Sequence, residues 1–228
     1  MGEVLRHAWR IARKDLLLEY RSRAATMSAV VFTALVLVVF QFGRDPTAVP
    51  TLDIAPSILW VTFSFAAMLG LNRAFQVEIE NQALDGLLLA PVSPTSIYWG
   101  KLLSNLGFVA NVELTGLVLF ALFFNVPVWR VLGPLLLVMA LASVGFISVG
   151  TLFSAIVVRS RAWFTELMLL VLLLPFLLPP LVAAVQVTAR LFDGRPLSEV
   201  SGWFRLLAAY DVTFVTLATL LFPATVTE

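Results

Sequence analysis

Three acidic side chains fall inside or beside long apolar runs, where an ionised carboxylate is costly: Glu113, Glu166 and Asp211. Glu113 is the most demanding, roughly 18 Å along a helix counted from Lys101 and so near the middle of a bilayer. Asn105, Asn111 and Thr115 lie near it on the same helix and offer it hydrogen bonds. Two kinds of role are open to it: a helix contact, gate or proton site on one side, a hydrogen-bonded packing residue on the other. Glu166 stands one turn into its run, within reach of Arg159 and Arg161 for an ion pair. Asp211 is expected one or two turns from the external end of the last helix, where it either snorkels outward, pairs with Arg205 or is buried in a helix interface.

Most catalytic chemistry is excluded. His7 is the only histidine and there is no cysteine, which removes zinc sites of the His-Glu-x-x-His type, Ser-His-Asp triads, bis-histidine haem ligation and every thiolate site. Gly100-Lys101 is not a phosphate loop, since Thr95 stands where its first glycine belongs and Leu102 where Ser or Thr would follow. No nucleotide-binding motif is present, so any ATP that drives this protein binds to another subunit. No nucleic-acid-binding pattern is present either.

The elements that position these residues follow from composition. Of 228 residues, 60% are hydrophobic and 13% charged, with mean hydropathy +0.96, values of an integral membrane protein. Six apolar runs have the length that crosses a bilayer as a helix: about Ala24 to Phe42, Ile54 to Leu71, Lys101 to Phe124, Val131 to Val157, Phe164 to Val187 and Phe204 to Phe222. Pro175, Pro179 and Pro180 interrupt the fifth, predicting a kink or a re-entrant bend, and Leu191 to Gly202 reads as an external polar connector. Trp60, Trp99, Trp129, Trp163 and Trp203 fall at or near span ends, as interfacial anchors do. Small residues at Ala142, Gly145, Ser148 and Thr151, and at Ala66 and Gly70, allow close helix approach.

Ahead of the first span, residues 1–23 carry Arg6, Arg10, Arg13, Lys14, Arg21 and Arg23 among Leu5, Trp9, Leu16 and Tyr20. This is the pattern of a basic amphipathic helix at the membrane surface, in which the cations reach anionic headgroups and fix topology. Ten of the fifteen basic residues fall on one side if this segment, Arg73, Lys101, Arg159 and Arg161 share it. Positive-inside then puts both termini in the cytoplasm of a multi-pass inner or plasma membrane protein.

On that same side lies the longest mostly polar interval, residues 73–93 between spans two and three. Phe75 and Ile79, then Leu84, Leu87 and Leu88, keep a helical spacing while Glu78, Glu80 and Asp85 take the other faces. It predicts a short amphipathic helix outside the bilayer, ended by Pro91, with Ser93-Pro94 capping the helix that follows. Such a helix either rests in the headgroups or transmits a push to the spans it joins. The fold class expected is an all-α integral membrane protein: one permease-like domain over residues 1–228, with an interfacial helix (1–23), spans one and two (24–72), the polar interval (73–93) and spans three to six (94–228).

Arg13-Lys14-Asp15-Leu16 with Glu19-Tyr20-Arg21-Ser22-Arg23, Leu84-Asp85-Gly86-Leu87-Leu88-Leu89-Ala90-Pro91-Val92-Ser93 followed by Gly100-Lys101, Leu174-Pro175-Phe176-Leu177-Leu178-Pro179-Pro180 and Ala209-Tyr210-Asp211 occur in that order. With these pieces the chain resembles, over nearly its whole length, the haem exporter B (CcmB-type) family, the permease subunit of the ABC-type complex of cytochrome c maturation. The resemblance implies a non-catalytic membrane subunit, a partner ATPase that carries the ATP, and haem-handling and haem-chaperone subunits beside it, with pairing as homodimer or heterodimer open. It implies that Glu78, Glu80, Leu84, Asp85 and Leu88 form a coupling helix, and that ATP hydrolysis serves either haem export or release of a haem-loaded chaperone. The family's proteobacterial members carry a His-Trp pair shortly after the Gly-Lys, where this chain has Ser104-Asn105. Met27, Met68, Met139 and Met168 are then the soft ligands left for haem iron, each more simply a lipid or core contact, so no cofactor is expected on this chain. Two other functions fit the residues alone: a secondary transporter with Glu113 as its proton site, and a non-transporting scaffold.

Overall fold

The computed structural model describes residues 2–43, 45, 49–73, 92–159 and 165–227. Among them are seven α-helices: α1 (Gly2–Ser22), α2 (Ala24–Gly43), α3 (Thr51–Arg73), α4 (Pro94–Phe124), α5 (Leu132–Arg159), α6 (Thr165–Phe192) and α7 (Leu197–Thr227), with a single 3₁₀ turn at Val128–Arg130. Helices α2 to α7 are each long and apolar enough to cross a membrane. The all-α, six-span expectation holds. The acid-faced interval with Glu78, Glu80, Leu84, Asp85 and Leu88 lies outside the described residues.

Helix ends follow local chemistry. Ser93, extended at φ −66° and ψ 142°, caps α4 by accepting from the Ser96 N–H, and Pro94 takes the first position, where its missing N–H costs nothing. At the other end Asn125 adopts the left-handed conformation, φ 49°, and returns its N–H to the Ala121 carbonyl. Between α1 and α2 the chain turns on Arg23, φ 52°. Glu19 steadies that turn: its Oε1 accepts from both the N–H and the hydroxyl of Thr26, each at 2.8 Å, satisfying a free donor at the start of α2.

Two expectations change. The triple-proline run does not make a re-entrant loop, because α6 is one helix of 28 residues with Pro175, Pro179 and Pro180 inside it. The polar connector after it is short: Gly194 supplies the positive φ of the turn, and α7 starts at Leu197, seven residues before the apolar run. Hydropathy misses that first turn because it is polar. Glu199 favours it at the helix N-terminus and pairs with Arg195 at 3.3 Å. Asp211 is therefore about four turns into a 31-residue helix, near its middle.

Two large apolar clusters, with a small third of Ala29, Ala66 and Val112, fill the bundle. One gathers Leu37, Leu59, Phe120, Leu135, Val187 and Leu207; the other gathers Leu71, Tyr98, Leu102, Ile147, Leu173 and Phe222, toward the end where α4 begins. A polar level separates them.

Candidate functional site

Glu113 sits at that level. Its position on α4 falls between Val109, which belongs to one cluster, and Leu117, which belongs to the other. The residue is 6% exposed, and Ser143 Oγ on α5 donates to its Oε1 at 2.7 Å. The neighbours expected on its own helix are engaged elsewhere: Asn105 Nδ2 donates to Thr151 Oγ1 on α5 at 3.1 Å, and Thr115 donates to the Asn111 carbonyl. The pairs 113 with 143 and 105 with 151 step by eight residues in opposite senses, which sets the antiparallel register of α4 and α5. A short hydroxyl beside a long carboxyl is what lets the two helices stay close.

Glu113 faces a cleft of about 310 Å³, lined also by Trp60, Ser64, Ser143, Phe146 and Pro180. The cleft is mostly apolar with a few convergent polar atoms. Much of that volume opens outward, and the enclosed part holds about one water. A porphyrin is far larger than that enclosed part. Met68 and Met139 are buried in different apolar clusters, so they do not form a pair of axial ligands.

Trp60 is not an interfacial anchor. It is 3% exposed, and its indole N–H donates to Thr188 Oγ1 on α6 at 2.8 Å. That bond is what makes an interior tryptophan tolerable. Trp129, by contrast, is 64% exposed beside a helix end, as expected.

Asp211 is buried in a helix interface, the third of its expected placements. It lies against Gly145 of α5, is 8% exposed, and its Oδ1 has no hydrogen-bond donor among the described residues. Arg205 does not reach it and donates instead to the Ser201 carbonyl. Ser143 and Gly145 are two residues apart, so α5 receives a carboxyl from α4 and another from α7 at nearly one depth. Gly145 admits α7, while the Tyr98 hydroxyl approaches the Ser148 carbonyl at 3.5 Å and Thr151 takes Asn105. The small-residue stripe thus serves packing within the chain. The Glu166 side chain, with Arg159 and Arg161 as its expected partners, lies outside what is described.

A buried ion pair has no counterpart among the sequence expectations. Lys101, with its side chain 3% exposed, reaches Asp15 Oδ2 of α1 at 3.0 Å. Around this pair α1 packs along α4: Ala8 and Ile11 meet Gly100, and Leu16 meets Gly107. Ala8 and Ala12 are fully buried there, whereas Arg10, Arg13, Lys14, Arg21 and Arg23 stay exposed, as do Leu5, Trp9 and Tyr20. Helix α1 therefore has three faces, one on α4, one apolar and open, one basic. Its acid at position 15 and the lysine just after Gly100 were the available signal, but only a fold brings them together.

The comparisons with known proteins decide the family. The family model described as "CcmB protein" matches residues 6–228. The chain belongs to the CcmB family. Among CcmB relatives, Heme exporter protein B of Pseudomonas aeruginosa is 26% identical over 91% of this chain and 92% of its own length. The Rhodobacter capsulatus protein of the same name is 26% identical over 83% of this chain and 87% of its own. The Escherichia coli K12 protein of that name matches at 27% over a shorter stretch, 42% of this chain and 44% of its own. This CcmB chain is a multi-pass membrane protein, and its Pro-rich run and its Tyr210-Asp211 pair meet inside the fold.

Proposed function

We propose that this chain is the membrane permease subunit of an ABC-type complex in cytochrome c maturation, with haem as the cargo of the complex or the ligand of an associated subunit. A partner ATPase docks on residues 73–93, with Glu78, Glu80, Leu84, Asp85 and Leu88 as contacts, and the termini are cytoplasmic. Family membership and the names of the relatives supply the haem and the transport. The observation that carries the coupling is mechanical. Helix α4, which follows the acid-faced interval, is capped by Ser93 and tied in its first turns to α1 through Lys101 and Asp15, while α3, which precedes it, is tied to α5 and α6 through Ser154 and Thr188. A push on the interval therefore moves whole helices rather than a loop end. ATP turnover would serve export of haem or release of a haem-loaded chaperone.

The test is co-purification after mild detergent extraction. Reversing both charges, Glu78→Lys with Asp85→Lys, is expected to lower recovery of the ATPase at least about tenfold, the scale of one lost charge contact in an interface. Full recovery with unchanged ATPase coupling rejects the coupling role.

A second reading has one observation in its favour, the placement of Glu113 in a cleft with one side-chain donor among the described residues. Under it the isolated protein is a proton-coupled secondary transporter. Substrate-dependent proton flux into vesicles, abolished in Glu113→Gln, is the outcome that selects it; absence of flux in the unaltered protein rejects it.

A further inference from the structure

Proline at 180 has no N–H, so the carbonyl of Phe176 one turn earlier loses its helical donor. An orphaned carbonyl within a membrane is costly unless something else donates to it. The Tyr210 hydroxyl of α7 does so, at 2.6 Å. The Tyr210 ring is held in turn: it lies against Gly145 and meets Phe214 at a tilt, 4.3 Å between centroids, and Phe214 meets Phe176 at 5.7 Å. A bond that α6 cannot make for itself is thus supplied by its neighbour.

The two halves of α6 also have different partners. Leu169, Leu173 and Leu177, before the break, pack in the cluster with Tyr210 and Phe222. Ala183, Ala184 and Val187, after it, pack with Leu59 and Leu135, and Thr188 is bonded to Trp60 of α3. Between them, Leu177, Pro180 and Leu181 form one wall of the Glu113 cleft. The geometry points to α6 as a jointed span, with its joint at Phe176 to Pro180 serving as the movable wall of the cleft and the Tyr210 hydroxyl as the latch that keeps it shut. Release of the latch lets the part of α6 after Pro180 swing relative to the part before Phe176, and water or a small polar solute reaches Glu113. The joint is a property of this chain alone, whatever drives it, and its test needs neither nucleotide nor a partner.

The chain has no cysteine, so one introduced thiol reports without background. Ala142→Cys places it on the cleft lining, and its reaction with a small membrane-permeant methanethiosulfonate is timed in membranes containing the full-length protein. Adding Tyr210→Phe is expected to speed labelling about tenfold, the effect of one buried hydrogen bond on a local opening equilibrium. In a Pro180→Ala background the helix supplies its own N–H to Phe176, and the same change is expected to alter the rate less than about twofold. Pro180→Ala alone is expected to slow labelling several-fold, which keeps the test decisive if Tyr210→Phe does not accumulate. Tyr98→Phe, which removes the other buried tyrosine hydroxyl, is expected to leave the rate nearly unchanged. Equal acceleration by Tyr210→Phe with and without Pro180, no slowing by Pro180→Ala, or an equal effect of Tyr98→Phe each overturns the latch.

Discussion

Lys101→Met is expected to destabilise the protein by about 3–5 kcal/mol, the cost of stranding one member of a buried ion pair. Asp15, 15% exposed in its side chain, would be left against α4 with the half-exposed Lys14 2.9 Å away. The figure belongs at the lower end for that reason. Adding Asp15→Asn removes the stranded charge, and the double variant is expected to recover most of the loss. Lys14→Met is expected to cost under about 1 kcal/mol, as exposed pairs do. Unfolding of the purified protein in detergent, followed by tryptophan fluorescence, reads all three. Equal losses for Lys101→Met and Lys14→Met would show that the buried pair does not hold α1 to α4. Limited proteolysis at the exposed arginines of α1 adds the local view, since cleavage there should quicken in Lys101→Met while α4 to α7 stay intact.

How the fold was legible in the chain depends on the range of each signal. Span number came from apolar run length, a property that needs no partner, and six runs became six helices. The start of α4 was equally local, because Ser93 and Pro94 carry their own capping chemistry. Where polar residues are helical the same signal fails, and α7 begins on Leu197-Ser198-Glu199 with an acid in its first turn, a reason of charge that hydropathy does not see. Trp60 failed differently: an indole near a run's end reads as an anchor until Thr188, 128 residues away, provides an acceptor. The candidate site shares this split. That Glu113 and Asp211 lie within spans could be read directly, but their partners, Ser143 and Gly145, are set by the register of α5 against α4 and α7. Lys101 and Asp15 were each ordinary interfacial charges until packing paired them.

The second large effect concerns Gly145, where a side chain has nowhere to go. A Cβ there would stand 2.5 Å from Asp211 Oδ1 and 2.6 Å from a ring carbon of Tyr210. Neither atom is the end of a long flexible chain, so relief requires α5 and α7 to part. Gly145→Ala is expected to cost about 2–4 kcal/mol, overpacking plus a strained Tyr210 bond less the gain in helix propensity. Gly133→Ala, on the same helix with open space around it, is expected to be neutral or stabilising by up to about 1 kcal/mol, and so separates crowding from backbone entropy. The two melting curves decide between them; a Gly145→Ala protein as stable as Gly133→Ala would mean that α7 does not press on α5 at this depth. Because the displaced ring is the one that donates to Phe176, the same substitution should also quicken labelling of the Glu113 cleft. Loss of stability and opening of α6 are then two readings of one contact, and a variant that shows the first without the second would place the strain on Asp211 alone.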